Sequence, residues 1–289
     1  MRLFADTSHE AEAILIELLR KKTPAQRLHM MQELNQHVRS RLLVGIRKRH
    51  PDASADEVNR RLGDILLSAP VASEVYGPNV PGMGAAAGKF KVQITLMDHS
   101  ELTEVTFLVV DIFERLAIPY FIGGSVASTA YGIARSTLDS DIVADLRADH
   151  VAEFLELVVG EFYVSPTAAV DAIAFRSSFN LIHLRSAFKI DIFVAKDRPF
   201  ERAQFARSSN QLLDSESGRV ANFASAEDII LAKLEWYRQG GEQSDRQWQD
   251  MLGIVAVQGD LLDWEYMQSM AETLQVGDLL ERLWMETYE

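Results

Sequence analysis

The chain has 289 residues, of which 47% are hydrophobic, and a formal net charge of −13. That length suits two domains, the apolar fraction excludes a wholly disordered chain, and the acidic balance argues against a broadly basic nucleic-acid binder. The absence of cysteine excludes disulfides, thiolate zinc sites and cysteine nucleophiles.

The charge is uneven. Residues 1–75 hold 12 Lys plus Arg against 10 Asp plus Glu, and the remainder holds 17 against 32. No apolar run approaches the roughly 20 residues that span a bilayer, and the N-terminus has no apolar signal-peptide core. A cytoplasmic protein without a membrane partner is the expectation.

The spacing predicts three helices in residues 1–76, an N-terminal helical domain. The first follows Thr7-Ser8-His9-Glu10, a capping-box pattern. The second runs from Pro24 to about His50, with Leu28, Met31, Leu34, Val38 and Leu42 as its apolar stripe. Its basic end (Arg47-Lys48-Arg49-His50) suits the negative pole of the helix dipole, and Ser54 with Glu57 opens the third helix.

Residues 77–98 read as a Gly/Pro-rich linker, with Lys89 to Met97 as a short strand or extended arm. Residues 99–200 form an expected α+β core. It has a helix over 102–116, a strand at 120–122, a helix at 126–133, a strand at 139–145, a helix at 150–159, β-favouring segments over 172–185 and a strand at 188–194. After Pro199 the strands are expected to cease, and helices at 225–239, 245–257, 262–273 and 275–287 make residues 201–289 a helical region.

Gly123-Gly124-Ser125 stands between a strand and a helix. Glycine lets backbone approach a ligand closely, and a helix N-terminus offers free N–H groups to an anion. Asp139 and Asp141 follow on a strand, on one face and about 7 Å apart at Cα. Carboxylates so placed repel one another unless a cation sits between them, and hard oxygens suit Mg²⁺. Asp191, on another strand, offers a third carboxylate. A phosphate cradle with clustered carboxylates points to phosphoryl or nucleotidyl transfer.

Ile122-Gly123-Gly124-Ser125, Tyr131-Gly132, Arg135-Ser136-Thr137 and Asp139-Ser140-Asp141, with Asp191 later, resemble the nucleotidyltransferase superfamily of the DNA polymerase β-like fold. Within it they are similar to bacterial minimal and AbiEii-toxin-like members. The resemblance covers about residues 105–255, and it implies a mixed sheet flanked by helices. It also implies phosphate contacts from Gly123, Gly124 and Ser125, Mg²⁺ or Mn²⁺ held by Asp139 and Asp141 with Asp191 as the third ligand or a base-like carboxylate, and an NTP substrate. The acceptor stays open among a small molecule, a protein and tRNA. Ser140 departs from the pattern, because an apolar residue commonly separates the two acids.

Arg135 reads either as a phosphate ligand or as half of an ion pair. Lys233 falls near the buried stripe of its helix, either snorkelling out or reaching the nucleotide. Lys189 shares a strand face with Asp191 and neutralises it in the simplest reading. Trp236, Trp248, Trp264 and Trp284 read as core. Two functional readings compete with a plain transferase: a toxin-like enzyme restrained by its own N-terminal helices, and a non-catalytic nucleotide-binding or interaction module that keeps the fold.

Overall fold

The computed structural model describes residues 3, 7–67, 69–77, 101–213 and 218–288. The expected linker beyond Gly77 and the strand or arm over Lys89–Met97 lie outside the described residues.

Helices α1 (His9–Arg20), α2 (Pro24–Arg49), α3 (Ala55–Leu67) and α4 (Ala69–Tyr76) come first, one more than the sequence predicts. Next are α5 (Glu101–Arg115), β1 (Tyr120–Ile122), α6 (Gly124–Tyr131), β2 (Asp139–Ala144), α7 (Val151–Val158), β3 (Phe162–Tyr163), α8 (Pro166–Phe175), β4 (Ser178–His183) and β5 (Lys189–Val194). The last part holds α9 (Pro199–Arg207), β6 (Ser209–Leu212), β7 (Val220–Phe223), α10 (Ala226–Gln239), α11 (Asp245–Gln258), α12 (Trp264–Leu274) and α13 (Gly277–Tyr288). The fold is α+β, with parallel and antiparallel strand pairs and many flanking helices.

Two expectations fail here for local reasons. Residues 172–175 belong to α8, because the Ser165 hydroxyl accepts from Ala168 N–H and Pro166 supplies the first helical φ. Strands continue past Pro199: β6 is a polar, partly exposed edge without apolar alternation, and β7 buries Ala221 and Phe223. Of the four tryptophans, Trp248 is buried, whereas Trp236 (51%) and Trp284 (45%) are half exposed.

The chain forms two compact units. The first comprises residues 1–31, 120–135 and 196–289. Its strands run in the order β1-β7-β6, with β1 parallel to β7 (Ile122 opposite Phe223) and β6 antiparallel to β7. The second comprises residues 32–119 and 136–195. Its sheet has the order β3-β4-β5-β2, with β2 and β5 parallel and the other pairs antiparallel.

The core of the second unit is built on that sheet. Phe113 of α5 stacks on Phe154 of α7, which meets the edge of Phe179 of β4. Ala72 and Val75 of α4 pack with Leu67 against Ile182, Leu184 and Ala187, and Leu43 and Ile46 of α2 pack against Val58 and Leu62 of α3. Of the predicted stripe of α2, Leu28 and Met31 are fully buried and Val38 and Leu42 half-buried, but Leu34 is 41% exposed, and the polar Gln32 and Asn35 are buried beside it.

His183, at the end of β4, is 1% exposed, with Nδ1 2.7 Å from Ser186 Oγ. Burial, with the Arg185 charge, holds its pKa down at about 4 despite Glu161. The unfolded chain therefore binds more protons between pH about 6.5 and about 4, so stability present above 6.5 is lost as the pH falls through that window. The thermal midpoint of the protein should fall between pH 7 and 4.5, and His183→Gln should flatten that dependence; an unchanged slope in the variant would contradict the assignment.

Candidate active site

The second unit carries the carboxylates. In both β2 and β5 the residues alternate between half-buried and buried, so Asp139, Asp141, Lys189 and Asp191 lie on the face opposite Ser140, Ile142, Ile190 and Ile192. The parallel register pairs Asp139 with Lys189 and Asp141 with Asp191. Neighbouring strands are about 4.8 Å apart, so the structure brings together on one face the three carboxylates the sequence singled out.

Lys189 offsets part of the negative charge of this face from within it. Its Nζ donates to Asp191 Oδ2 at 2.6 Å and lies 3.8 Å from Asp139 Oδ2. Burial disfavours the ammonium, but the hydrogen bond to Asp191 and the charges of Asp191, Asp139 and Asp141 outweigh it, and its pKa is raised. Burial pushes the Asp191 carboxyl above its ordinary value, Asp139 adds to that, and the Lys189 bond offsets only part. Asp191 Oδ1 is buried with no hydrogen-bond partner.

Asp139 has a second fixed contact, since the Thr137 hydroxyl donates to its Oδ1 at 2.7 Å. Among the described residues no group of three His, Asp or Glu side chains is already drawn together as a metal cage. Lys189 is the cation that now stands between Asp139 and Asp191. Ser140 faces the other way, as expected, and its hydroxyl is buried without a partner where an apolar residue would leave none unsatisfied.

The first unit carries the turn. β1 ends at Ile122, and α6 starts at Gly124, two residues earlier than the sequence predicts. Gly124 has φ +53°, a left-handed conformation that glycine adopts without strain. Ser125 is buried at the first turn of the helix. At that N-terminus the first backbone N–H groups have no intrahelical acceptor.

Arg135 and Lys233 also belong to the first unit, and the structure brings them together on a residue the sequence reading missed. Arg135 holds Asp250 of α11 with two bonds of 2.6 and 2.7 Å, and Lys233 of α10 donates to Asp250 Oδ2 at 2.9 Å. The Asp250 side chain is 8% exposed and that of Lys233 is 12% exposed. Burial would raise the Asp250 pKa, but the Arg135 hydrogen bonds and the two positive charges hold it below the usual carboxylate range. Two cations on one carboxylate leave a net positive centre.

A family model described as Rv0078B-related antitoxin matches residues 20–90. No curated protein sequence matches the chain. Among solved structures, the antibiotic-resistance factor ANT(2'')-Ia aligns at 14% identity over 64% of this chain and 97% of its own, with a TM-score of 0.41. A nucleotidyltransferase-like antigen from Paracoccidioides brasiliensis aligns at 16% identity over 64% and 92%, with a TM-score of 0.41. The lincosamide antibiotic adenylyltransferase LnuA with lincomycin bound aligns at 15% identity over 53% and 96%, with a TM-score of 0.37.

Removing the shared carboxylate leaves Arg135 and Lys233 without their common anion. Asp250→Ala should cost about 3 kcal/mol in a urea titration, as for other buried ion pairs broken from one side. A cost below about 1 kcal/mol would mean that the trio is solvated and contributes as a surface pair does.

Proposed function

We propose that this protein is a nucleotidyltransferase that moves an NMP from an NTP to an acceptor that is a small molecule, a protein or tRNA. The observation that carries the proposal is the register of β2 and β5, which sets Asp141 beside Asp191 with Asp139 on the same face. Three carboxylates with hard oxygen donors, one of them an unpartnered buried Asp191 Oδ1, fit Mg²⁺ or Mn²⁺ held by Asp139, Asp141 and Asp191. A metal there would supply Lewis-acid activation of the NTP phosphate.

The remaining roles fall to the chain's own groups. Lys189 offsets the charge of Asp139 and Asp191 until the substrate binds and then gives way. Gly123 and Gly124 allow the triphosphate close to the backbone, and Ser125 offers a hydroxyl to it. Arg135 and Lys233, steadied by Asp250, supply positive charge to the phosphates. Affinity for tRNA, if that is the acceptor, falls to the basic N-terminal helices, because the rest of the chain is strongly acidic.

The match of residues 20–90 to an antitoxin-related family favours a second reading, in which the N-terminal helices restrain a toxin-like transferase. That reading requires activity to rise when those helices are loosened.

The direct test incubates the purified protein with each α-phosphate-labelled NTP, Mg²⁺, cell RNA and total protein. Label should pass to one acceptor fraction, and Asp139→Ala should abolish the transfer. Undiminished labelling in the variant would remove the catalytic assignment. Binding of an NTP without transfer to any fraction would favour the non-catalytic module instead.

A further inference from the structure

Gln32, Asn35 and Arg39 stand at i, i+3 and i+7 on α2, one face of the helix. Each reaches a different part of the second unit. Gln32 Nε2 donates to the Thr103 hydroxyl of α5, Asn35 Oδ1 accepts from the Thr137 backbone N–H at 2.8 Å, and Arg39 donates to the Ser186 carbonyl at 2.8 Å. The middle bond leads to the carboxylates, because the Thr137 hydroxyl donates to Asp139 Oδ1. Asp139 Oδ2, the other oxygen, is the one 3.8 Å from the Lys189 ammonium.

Two features mark this chain of bonds as more than packing. Asn35 is 8% exposed and Thr137 2%, so the bond between them is shielded from water, while the Thr137–Asp139 bond lies at the edge of the half-exposed carboxylate face. Asn35 Nδ2 is buried without a partner, a cost that an apolar side chain of similar size would avoid. What asparagine adds over such a side chain is the acceptor that fixes the Thr137 peptide.

We infer that Asn35 is a positioning residue for Asp139: by holding the Thr137 peptide it aims the threonine hydroxyl at Oδ1 and leaves Oδ2 directed at the cation. This rests on the reading of Asp139 as a metal ligand. Carboxylate ligands are generally held by such outer partners, whose loss weakens metal binding about 10- to 100-fold. The segment that matches an antitoxin-related family thus supports the carboxylates rather than withholding them, a role opposite in sign to restraint.

The test measures Mn²⁺ binding by calorimetry on the full chain, with hydrogen exchange at the residue 137 amide. Thr137→Val keeps the backbone bond to Asn35 but loses the hydroxyl, and should weaken Mn²⁺ binding about 10-fold or more. Thr137→Ser keeps the hydroxyl and should bind as the parent does. Asn35→Ala should weaken binding by a smaller factor and speed exchange at the residue 137 amide, which a folding defect spread over the unit would not do selectively. Parental affinity in both Asn35→Ala and Thr137→Val would overturn the inference, as would tighter binding in Asn35→Ala, the result restraint predicts. Asp139→Ala separates the two levels: if it binds Mn²⁺ normally the metal reading falls and the inference with it, whereas if it alone loses Mn²⁺ only the inference falls.

Discussion

The parallel pairing of β2 with β5 is the constraint on which the functional reading depends. It makes Asp141 and Asp191 neighbours and places Asp139 and Lys189 beside them. A slip of one residue between the strands would send Asp191 to the buried face and put Ile190 or Ile192 beside the acids. The apolar alternation Ile142, Ile190 and Ile192 prevents that slip, since those side chains are fully buried. The packing of the sheet and the clustering of the carboxylates therefore have one cause. A face with this much negative charge requires a cation, and in the protein alone Lys189 provides it.

Charge is handled in the opposite sense in the first unit. Arg135 and Lys233 share Asp250, so one negative charge holds two positive ones in place. A bidentate arginine bond fixes orientation as well as energy, so Asp250 holds the Arg135 guanidinium in one place. The Gly123-Gly124 turn in the same unit offers backbone rather than side-chain donors, and its left-handed Gly124 is where a larger residue would be strained.

The legible parts of the molecule were those in which local chemistry dictates geometry. Two glycines after a strand, acids two residues apart in an apolar strand, and Lys189 two residues from Asp191 all specify a turn or a shared face from spacing alone. Asp250 was not legible because a lone acid in a helix looks like a solvated one, and its two partners come from elsewhere in the chain. Asn35 was missed for a related reason. The apolar pattern of α2 marks Leu28 and Met31 correctly but says nothing of a buried polar side chain, whose partner is about a hundred residues away. The strand β6 escaped because a polar edge strand carries no hydrophobic alternation, β7 because its alternation spans only four residues, and Trp236 and Trp284 lie half exposed on helices whose other faces make the core.

Polar bonds join the Gln32–Arg39 face of α2 to α5, to the segment before β2 and to the β4–β5 connection, while α4 packs on the end of β4 through Ala72 and Val75. In the proposed function, one face of β2 and β5 is a divalent-cation site that Lys189 occupies until the nucleotide arrives. A crystal structure with Mn²⁺ and a non-hydrolysable NTP should show anomalous density within about 2.3 Å of oxygens from Asp139, Asp141 and Asp191, with the Lys189 ammonium displaced from Asp191. A nucleotide bound elsewhere, with no anomalous density on that face and the Lys189–Asp191 bond unchanged, would contradict it.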